Sequence, residues 1–342
     1  MTARLLLRDG VLKTSEKQTA ADHGQSSAPA RSSGWHAATR VGITAVCALA
    51  FAGCKRDAKN DGSKPVASVA VSAVPVASGV PYPREAIVDA VNHARLPVYA
   101  GPAGAVRGTI RIKGDPAPEV PEIARQIRED CAPAREMYNR LFREGPGRTL
   151  PDVLVAVTGY EGYVPTQVSS VEVAASNCAW SARTIALTFG QRLDVRSKDH
   201  KAYVPDLLGA QMPAQLIALP GGTGSSLYPQ APGRYVLVDS MRLFTAAEVL
   251  VLRYATHAVT GLDGQYEIQR IPAGKVTLNA LLPFTGETLE RTIEIKPSQT
   301  LTLDLEFNFN EAAWRAAKAK EAAPSPKPPA SAPSPSPSPS SK

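Results

Sequence analysis

Between Arg107 and Phe309, apolar residues recur with a period of two in short runs, and Gly, Pro, Asn and Asp punctuate the gaps. Side chains alternate faces only along an extended strand, so this pattern predicts a mainly β chain. Val106 to Ile112 (VRGTIRI) alternates, Asp152 to Val157 (DVLVAV) is a short apolar run, and Arg183 to Val195 (RTIALTFGQRLDV) reads as two strands broken at Gly190. Arg234 to Val238 and Glu248 to Arg253 add further strands. Such spacing suits β-sandwiches. The repeated strand–helix alternation of a parallel α/β sheet does not occur. Within the stretch before Asn310, helical pattern is limited to Arg84 to Ala94 and to two stretches between Pro121 and Arg143, EIARQIRED and EMYNRLFRE.

Charge divides by segment. The chain of 342 residues carries 38 Lys+Arg against 31 Asp+Glu, a formal net charge of +7. Residues 1–53 contribute +3, 54–64 contribute +2, 65–310 contribute −1 and 311–342 contribute +3. A basic face on a folded domain is the footprint of nucleic-acid binding, and here the basicity belongs to the ends, so no nucleic acid is expected.

Val41 to Gly53 (VGITAVCALAFAG) is an uncharged, mostly apolar run after Arg40. It is shorter than the roughly 20 residues of a membrane-crossing helix and matches the apolar core of a signal peptide. It ends in Phe51-Ala52-Gly53-Cys54, followed at once by Lys55 and Arg56. This resembles the lipobox of bacterial lipoproteins. The resemblance implies cleavage before Cys54, acylation of Cys54, and a lipid-anchored protein of the bacterial envelope facing the periplasm or the cell surface. Acyl chains contribute roughly 0.8 kcal/mol per buried methylene, enough for a durable anchor. Residues 1–53 are therefore read as a signal peptide with an N-terminal extension.

Residues 54–81, ending in PVASVAVSAVPVASGVP, read as a flexible tether, and residues 82–105 as a linker with a short helix. At the other end, Asn310 is a candidate N-cap for EAAWRAAKAKEAA. Residues 324–342 hold eight prolines among Ser, Ala and Lys, a composition that favours a disordered, polyproline-like tail, so 310–342 reads as a short helix and disordered tail.

Residues 258–309 read as a self-contained module. Thr260-Gly261-Leu262-Asp263-Gly264 is a hairpin turn, QYEIQ alternates, Ile271-Pro272-Ala273-Gly274 is a second turn, and KVTLNALLP and LTLDLEFNF are strands. The order T-G-x-D-G-x-[aromatic]-x-I-x-x-I-P-x-G closely resembles the carboxypeptidase regulatory-like domain, of the prealbumin-like sandwich fold. In that family the module is non-catalytic.

Residues 106–257 open with VRGTIRIKG, continue through DVLVAVTG and Asn177-Cys178-Ala179-Trp180, and reach RTIALTFGQRLDVRSKD. Followed directly by 258–309, this layout resembles a bacterial family in which a plastocyanin-like (cupredoxin) domain is fused to a carboxypeptidase regulatory-like domain. The fold class expected is mainly β: a cupredoxin-like sandwich, then a prealbumin-like one, between disordered ends. A blue-copper site needs two imidazoles, a thiolate and a weak axial ligand. Where the family has its first histidine, this chain reads Lys201-Ala202-Tyr203-Val204. Where it has its cysteine–histidine–methionine loop, the chain reads Asp239-Ser240-Met241-Arg242-Leu243-Phe244-Thr245. The resemblance therefore implies a scaffold with vacated copper positions at Tyr203, Asp239, Arg242 and Thr245, and no metal or other cofactor. His200 and Met241 remain nearby, and a lone His beside a lone Met is more often a surface or packing residue.

Cys131 and Cys178 lie 47 residues apart. In an oxidising compartment two thiols of one domain usually pair, and closing that loop is worth up to roughly 4 kcal/mol in the chain-entropy view. The alternative is two free buried thiols.

Candidate catalytic chemistry is sparse. Gly221 to Ser226 (GGTGSS) lacks the Lys-Ser/Thr of a phosphate loop. Beyond Cys54 the histidines are His93, His200 and His257, which with the scattered acids suggest neither a triad nor a carboxylate pair. Trp180, Tyr203, Tyr228 and Phe244 offer either core packing or a sugar-stacking face. The expectation is a non-enzymatic, lipid-anchored binding or assembly module whose partners are membrane lipid through Cys54 and an envelope protein or a glycan. The alternatives are a glycan-binding lipoprotein and a copper-handling or electron-transfer cupredoxin.

Overall fold

The computed structural model describes residues 81–211 and 215–322. The lipobox with Cys54, the tether and the Pro/Ser tail lie outside the described residues. The chain opens with helix α1 (Arg84–Val91) and continues into β1 (Ala103–Gly114), α2 (Pro121–Ala124), α3 (Ala134–Tyr138) and β2 (Leu154–Thr158). Then come β3 (Ser170–Ser176), β4 (Ala179–Trp180), β5 (Thr184–Thr188), β6 (Arg192–Ser197), β7 (Pro205–Leu208), β8 (Ser225–Leu227), β9 (Gly233–Asp239) and β10 (Arg242–Leu252). The last elements are β11 (His257–Val259), β12 (Gln265–Pro272), β13 (Gly274–Leu282), β14 (Glu287–Ile295), β15 (Thr300–Thr302), β16 (Leu305–Phe309) and α4 (Glu311–Ala322).

The protein is mainly β, as the alternation requires. Four four-stranded sheets build two cores. One core lies between β4-β3-β6-β8 and β5-β10-β9-β7, and is filled by Val173, Trp180, Leu187, Leu193, Val195, Leu207, Leu237 and Val249. The other lies between β11-β2-β13-β14 and a sheet in which β1 is flanked by β12 on one side and by β15 and β16 on the other. Val106, Ile110, Ile112, Val155, Ile268, Leu278 and Phe307 fill it.

The partition of the chain into 106–257 and 258–309 does not describe this strand pairing. β1 pairs antiparallel with β12 (Val106 opposite Ile268) and parallel with β16 (Ile112 opposite Phe307). β2 lies between β11 and β13. Residues 258–309 alone would leave each of their two sheets without its middle strand, and an isolated pair of edges cannot bury an apolar face. The second sandwich is therefore discontinuous. It takes β1 and β2 from the early chain, the chain leaves to build the first sandwich from β3 to β10, and it then returns.

Several local readings hold in detail. Gly190, between β5 and β6, sits at φ +99°, where a Cβ would come within 2.6 Å of Ile87. Gly264 in the Asp-Gly turn has φ +70°, and a Cβ there would meet the Ile110 carbonyl oxygen at 2.5 Å. Asn310 caps α4, its Oδ1 accepting from the Ala313 amide at 2.7 Å. Helix α1 packs Ile87 and Val91 on the first sandwich, and Tyr82, just before it, lies edge-on to Phe189 at 5.5 Å between centroids.

Candidate functional site

The four positions singled out from the copper loops meet at one end of the first sandwich. The hairpin between β9 and β10 brings Asp239 opposite Arg242, and the segment before β7 brings Tyr203 beside them. Arg242 Nη1 bonds the Asp239 carboxylate, Nη2 donates to the Ala202 carbonyl at 3.0 Å, and the guanidinium carbon lies 4.7 Å from the Tyr203 ring centre. Asp239, fully buried, also accepts from the amides of Val204 at 3.0 Å and Met241 at 3.1 Å. Thr245 donates to the Cys178 carbonyl, and Trp180 donates its indole N–H to the carbonyls of Leu237 and Thr245.

Tyr203 links this group to a tight turn. Its hydroxyl donates to Asp199 Oδ2 at 2.9 Å and accepts from the Cys178 amide at 3.1 Å. Burial pushes the hydroxyl up to about 12; the Cys178 amide opposes that rise and the Asp199 carboxylate adds to it. Burial pushes the Asp199 carboxyl upward, but the amides of Lys201 and Asn177 and the hydroxyls of Tyr203 and Ser197 outweigh it and hold the group below its ordinary value. Asn177 and Cys178 both adopt positive φ, +51° and +63°, at the β3–β4 turn. Asn tolerates that region; cysteine seldom does, and it is held there by Tyr203, Thr245 and a covalent bond.

That bond is the disulfide Cys131–Cys178, with Cα atoms 5.4 Å apart, so the two thiols are paired rather than free. Cys131 belongs to the excursion between β1 and β2, which packs Ile127, Ala134 and Tyr138 against Cys178 and Phe244. The Trp180 amide donates to the Tyr138 hydroxyl at 2.9 Å. A second buried group, not anticipated from the sequence, ties the sandwiches nearby. Asp152, just before β2, receives both Arg143 N–H groups at 2.7 and 2.8 Å and the Arg183 amide at 3.1 Å. The Arg183 guanidinium, 4.1 Å from the Phe284 ring centre, donates to the Arg140 carbonyl, and burial brings its pKa down to about 10 against the opposing pull of Asp152. Isolated acids and arginines in a sequence give no signal for such pairing across 31 positions.

The side chains at the pole do not suit a blue-copper centre. The permanently charged guanidinium of Arg242 occupies the Asp239 carboxylate, the sulfur of Cys178 is bonded to Cys131, and Thr245 is a hydroxyl already committed to a carbonyl. His200 and Met241 are both exposed. Among the described residues no group of three His, Cys, Asp or Glu is arranged to hold a metal ion. The aromatic reading of this face also changes, because Trp180, Tyr203 and Phe244 are buried and only Tyr228 is partly open.

What the pole presents outward is aliphatic. Ala218 bridges to Tyr203 by paired backbone hydrogen bonds, and the Ser240 amide donates to the Val204 carbonyl. Ile217 and Leu219 thus border one side of segment 203–204, while Met241 and Leu243 border the other, all four between 53% and 64% exposed. A separate cleft of about 570 Å³ on the second sandwich is lined by polar residues including Asp263, Glu267 and Asp304. Asp304 is already bonded to the Thr109 amide.

No family model matches the chain, and no curated protein matches it. Among solved structures, a reduced proline-to-phenylalanine variant of amicyanin is similar at 13% identity and a TM-score of 0.22, covering 28% of this chain and 98% of its own. A copper(I) methionine-to-glutamine variant of amicyanin gives 14% identity and a TM-score of 0.21 over 24% of this chain and 82% of its own. A reduced tryptophan-to-tyrosine variant gives 13% and 0.22 over 28% and 97%. At these values no residue role passes from amicyanin to this chain.

Proposed function

We propose that this is a non-enzymatic, lipid-anchored protein of the bacterial envelope that binds or assembles with a protein partner through the Tyr203–Arg242 pole. The reading is of a cupredoxin-like scaffold that has exchanged its copper ligands for Tyr203, Asp239, Arg242 and Thr245, joined to a carboxypeptidase regulatory-like sandwich. One observation carries it: the polar groups of the pole are spent on one another, and the surface around them is a border of four exposed aliphatic side chains. Exposed apolar patches rimmed by polar residues mark interaction sites. Anchoring rests on Cys54, whose lipobox context sets the envelope location facing the periplasm or cell surface.

A glycan partner is the second reading. It is disfavoured by the burial of Trp180, Tyr203 and Phe244, since sugar faces are recognised by stacking on open aromatic rings. A photo-crosslinking residue placed at Leu243 tests the protein-binding reading in cells, with Glu290 on the outer strand of the second sandwich as control. A discrete protein adduct from position 243 alone supports it. Adducts from neither position, or equally from both, contradict it, and selective retention on a glycan array would favour the second reading. Acyl labelling that persists after Cys54→Ala would remove the anchor assignment.

A further inference from the structure

We propose that the Cys131–Cys178 bridge is a redox latch, whose reduction by a dithiol frees residues 121–138 of the excursion as a unit while both sandwiches stay folded. The bridge does not staple a module to itself. Cys131 lies between β1 and β2 of the second sandwich, and Cys178 lies in the β3–β4 turn of the first. It is the one covalent crosslink between the two cores among the described residues.

Besides the bridge, residues 121–138 are held across the interface mainly by the buried Tyr138, whose hydroxyl accepts from the Trp180 amide. The regular structure of this segment is a four-residue helix, a 3₁₀ turn at Glu129–Cys131 and a five-residue helix. Its ion pairs, Arg125 with Glu122, Arg128 with Asp130 and the Lys201–Asp130 contact to the first sandwich, lie at 3.3–3.8 Å with an open carboxylate in each and contribute little. Its buried cluster has six members, and two of them are the bonded cysteines themselves. The core clusters of the two sandwiches contain no residue of 121–138; the far end stays fixed, because Leu141 packs against the second core, Phe142 belongs to it and Arg143 bonds the buried Asp152. A segment with few buried contacts belongs to the low-stability end of a fold and opens locally.

The receiving end, by contrast, is fixed. Cys178 is kept at φ +63° by the Tyr203 hydroxyl on its amide and the Thr245 hydroxyl on its carbonyl, so its sulfur stays presented when the excursion leaves. In the exchange, one thiolate of the dithiol attacks a sulfur of the bridge and forms a mixed disulfide. The second thiol of the reductant then resolves it. Two electrons pass to the cysteine pair, each cysteine sulfur ends protonated, and the reductant becomes a disulfide. Release uncovers Phe244, which the excursion buries. Use of that apolar area in docking rests on the proposed function, whereas release itself does not.

The test uses the natively folded, oxidised protein with and without dithiothreitol, so no variant needs to fold without the bridge. Trypsin cleavage at Arg125, Arg128 and Arg135 is followed by mass spectrometry, with amide exchange of β6, β10 and β13 in parallel. At least a roughly tenfold rise in cleavage there, with strand protection retained, is expected, because cleavage tracks the open population. Reoxidation with oxidised glutathione should restore resistance. Cleavage changed less than about twofold would make the bridge a redundant staple, loss of strand protection would make it a global one, and failure to recover on reoxidation would exclude a latch; each overturns the proposal.

Discussion

The guanidinium carbon of Arg242 lies over the Tyr203 ring, 4.7 Å from its centre, while its nitrogens reach Asp239 and the Ala202 carbonyl. One arginine thus closes the hairpin, covers the tyrosine and neutralises a fully buried carboxylate. Replacing it by methionine keeps the apolar contact and leaves Asp239 uncompensated. Arg242→Met should cost about 3–5 kcal/mol in urea unfolding, and the double change Arg242→Met with Asp239→Leu should recover much of it. A loss below about 1 kcal/mol for the single change would mean that the pair is not load-sharing at this pole.

Tyr203→Phe removes a hydroxyl that serves both Asp199 and the Cys178 amide, leaving the amide buried without its acceptor. The expected cost is about 1–3 kcal/mol, measured by the denaturant midpoint. The same hydroxyl sets an alkaline limit. Its pKa is raised to about 12 in the fold against about 10 when unfolded, so the folded chain holds the proton longer. Its stabilisation is complete below pH 10 and is lost as pH rises through 12, and Tyr203→Phe should flatten that limb of the stability curve.

His257, in β11, is half-buried where Thr188 meets its Nε2 at 3.2 Å, and desolvation lowers its pKa to about 4. The unfolded chain takes up this proton near pH 6.5, the fold only near pH 4. Stability is therefore present above pH 6.5 and lost as pH falls toward 4, by up to about 1.4 kcal/mol per unit. His257→Gln should remove that slope in acid unfolding, and an unchanged slope would assign it to other groups.

Gly108 in β1 is a test of the discontinuous sandwich. A Cβ there would fall 1.8 Å from the Leu303 carbonyl oxygen. Gly108→Ala should lower amide protection in β12, β13 and β16 by at least about tenfold, with less effect on β6 and β10. Equal losses in both sandwiches would contradict the separation of their cores.

The strands themselves were legible because alternation is local: β5 and β6 flank Gly190, β2 falls inside DVLVAV, and Asn310 caps α4. Their partners were not. Nothing in VRGTIRI distinguishes pairing with β12, some 160 positions away, from pairing within the early chain, so a boundary drawn at 106 and 258 cut the second sandwich apart. Tyr203, Asp239, Arg242 and Thr245 could be singled out together only through the resemblance of their two loops to the copper-ligand loops of plastocyanin-like domains. The roles of Asp199, Trp180 and the Cys178 backbone depend on hydrogen bonds between turns distant in sequence. The adjacent Asn177-Cys178 turn was visible as residues but not as a positive-φ pair. The contacts of Arg143 and Arg183 with Asp152 depend on burial that no local pattern in the sequence signals.

Copper loading of the purified, oxidised protein tests the central claim about the pole most directly. After incubation with copper(II) or copper(I) and gel filtration, metal content and the visible spectrum are recorded for the wild-type chain and for Arg242→Met. The expected result is substoichiometric copper in both and no thiolate-to-copper charge-transfer band, because Arg242, Asp239, Thr245 and Cys178 are committed to one another. One copper per chain with that band in the wild-type protein would contradict it.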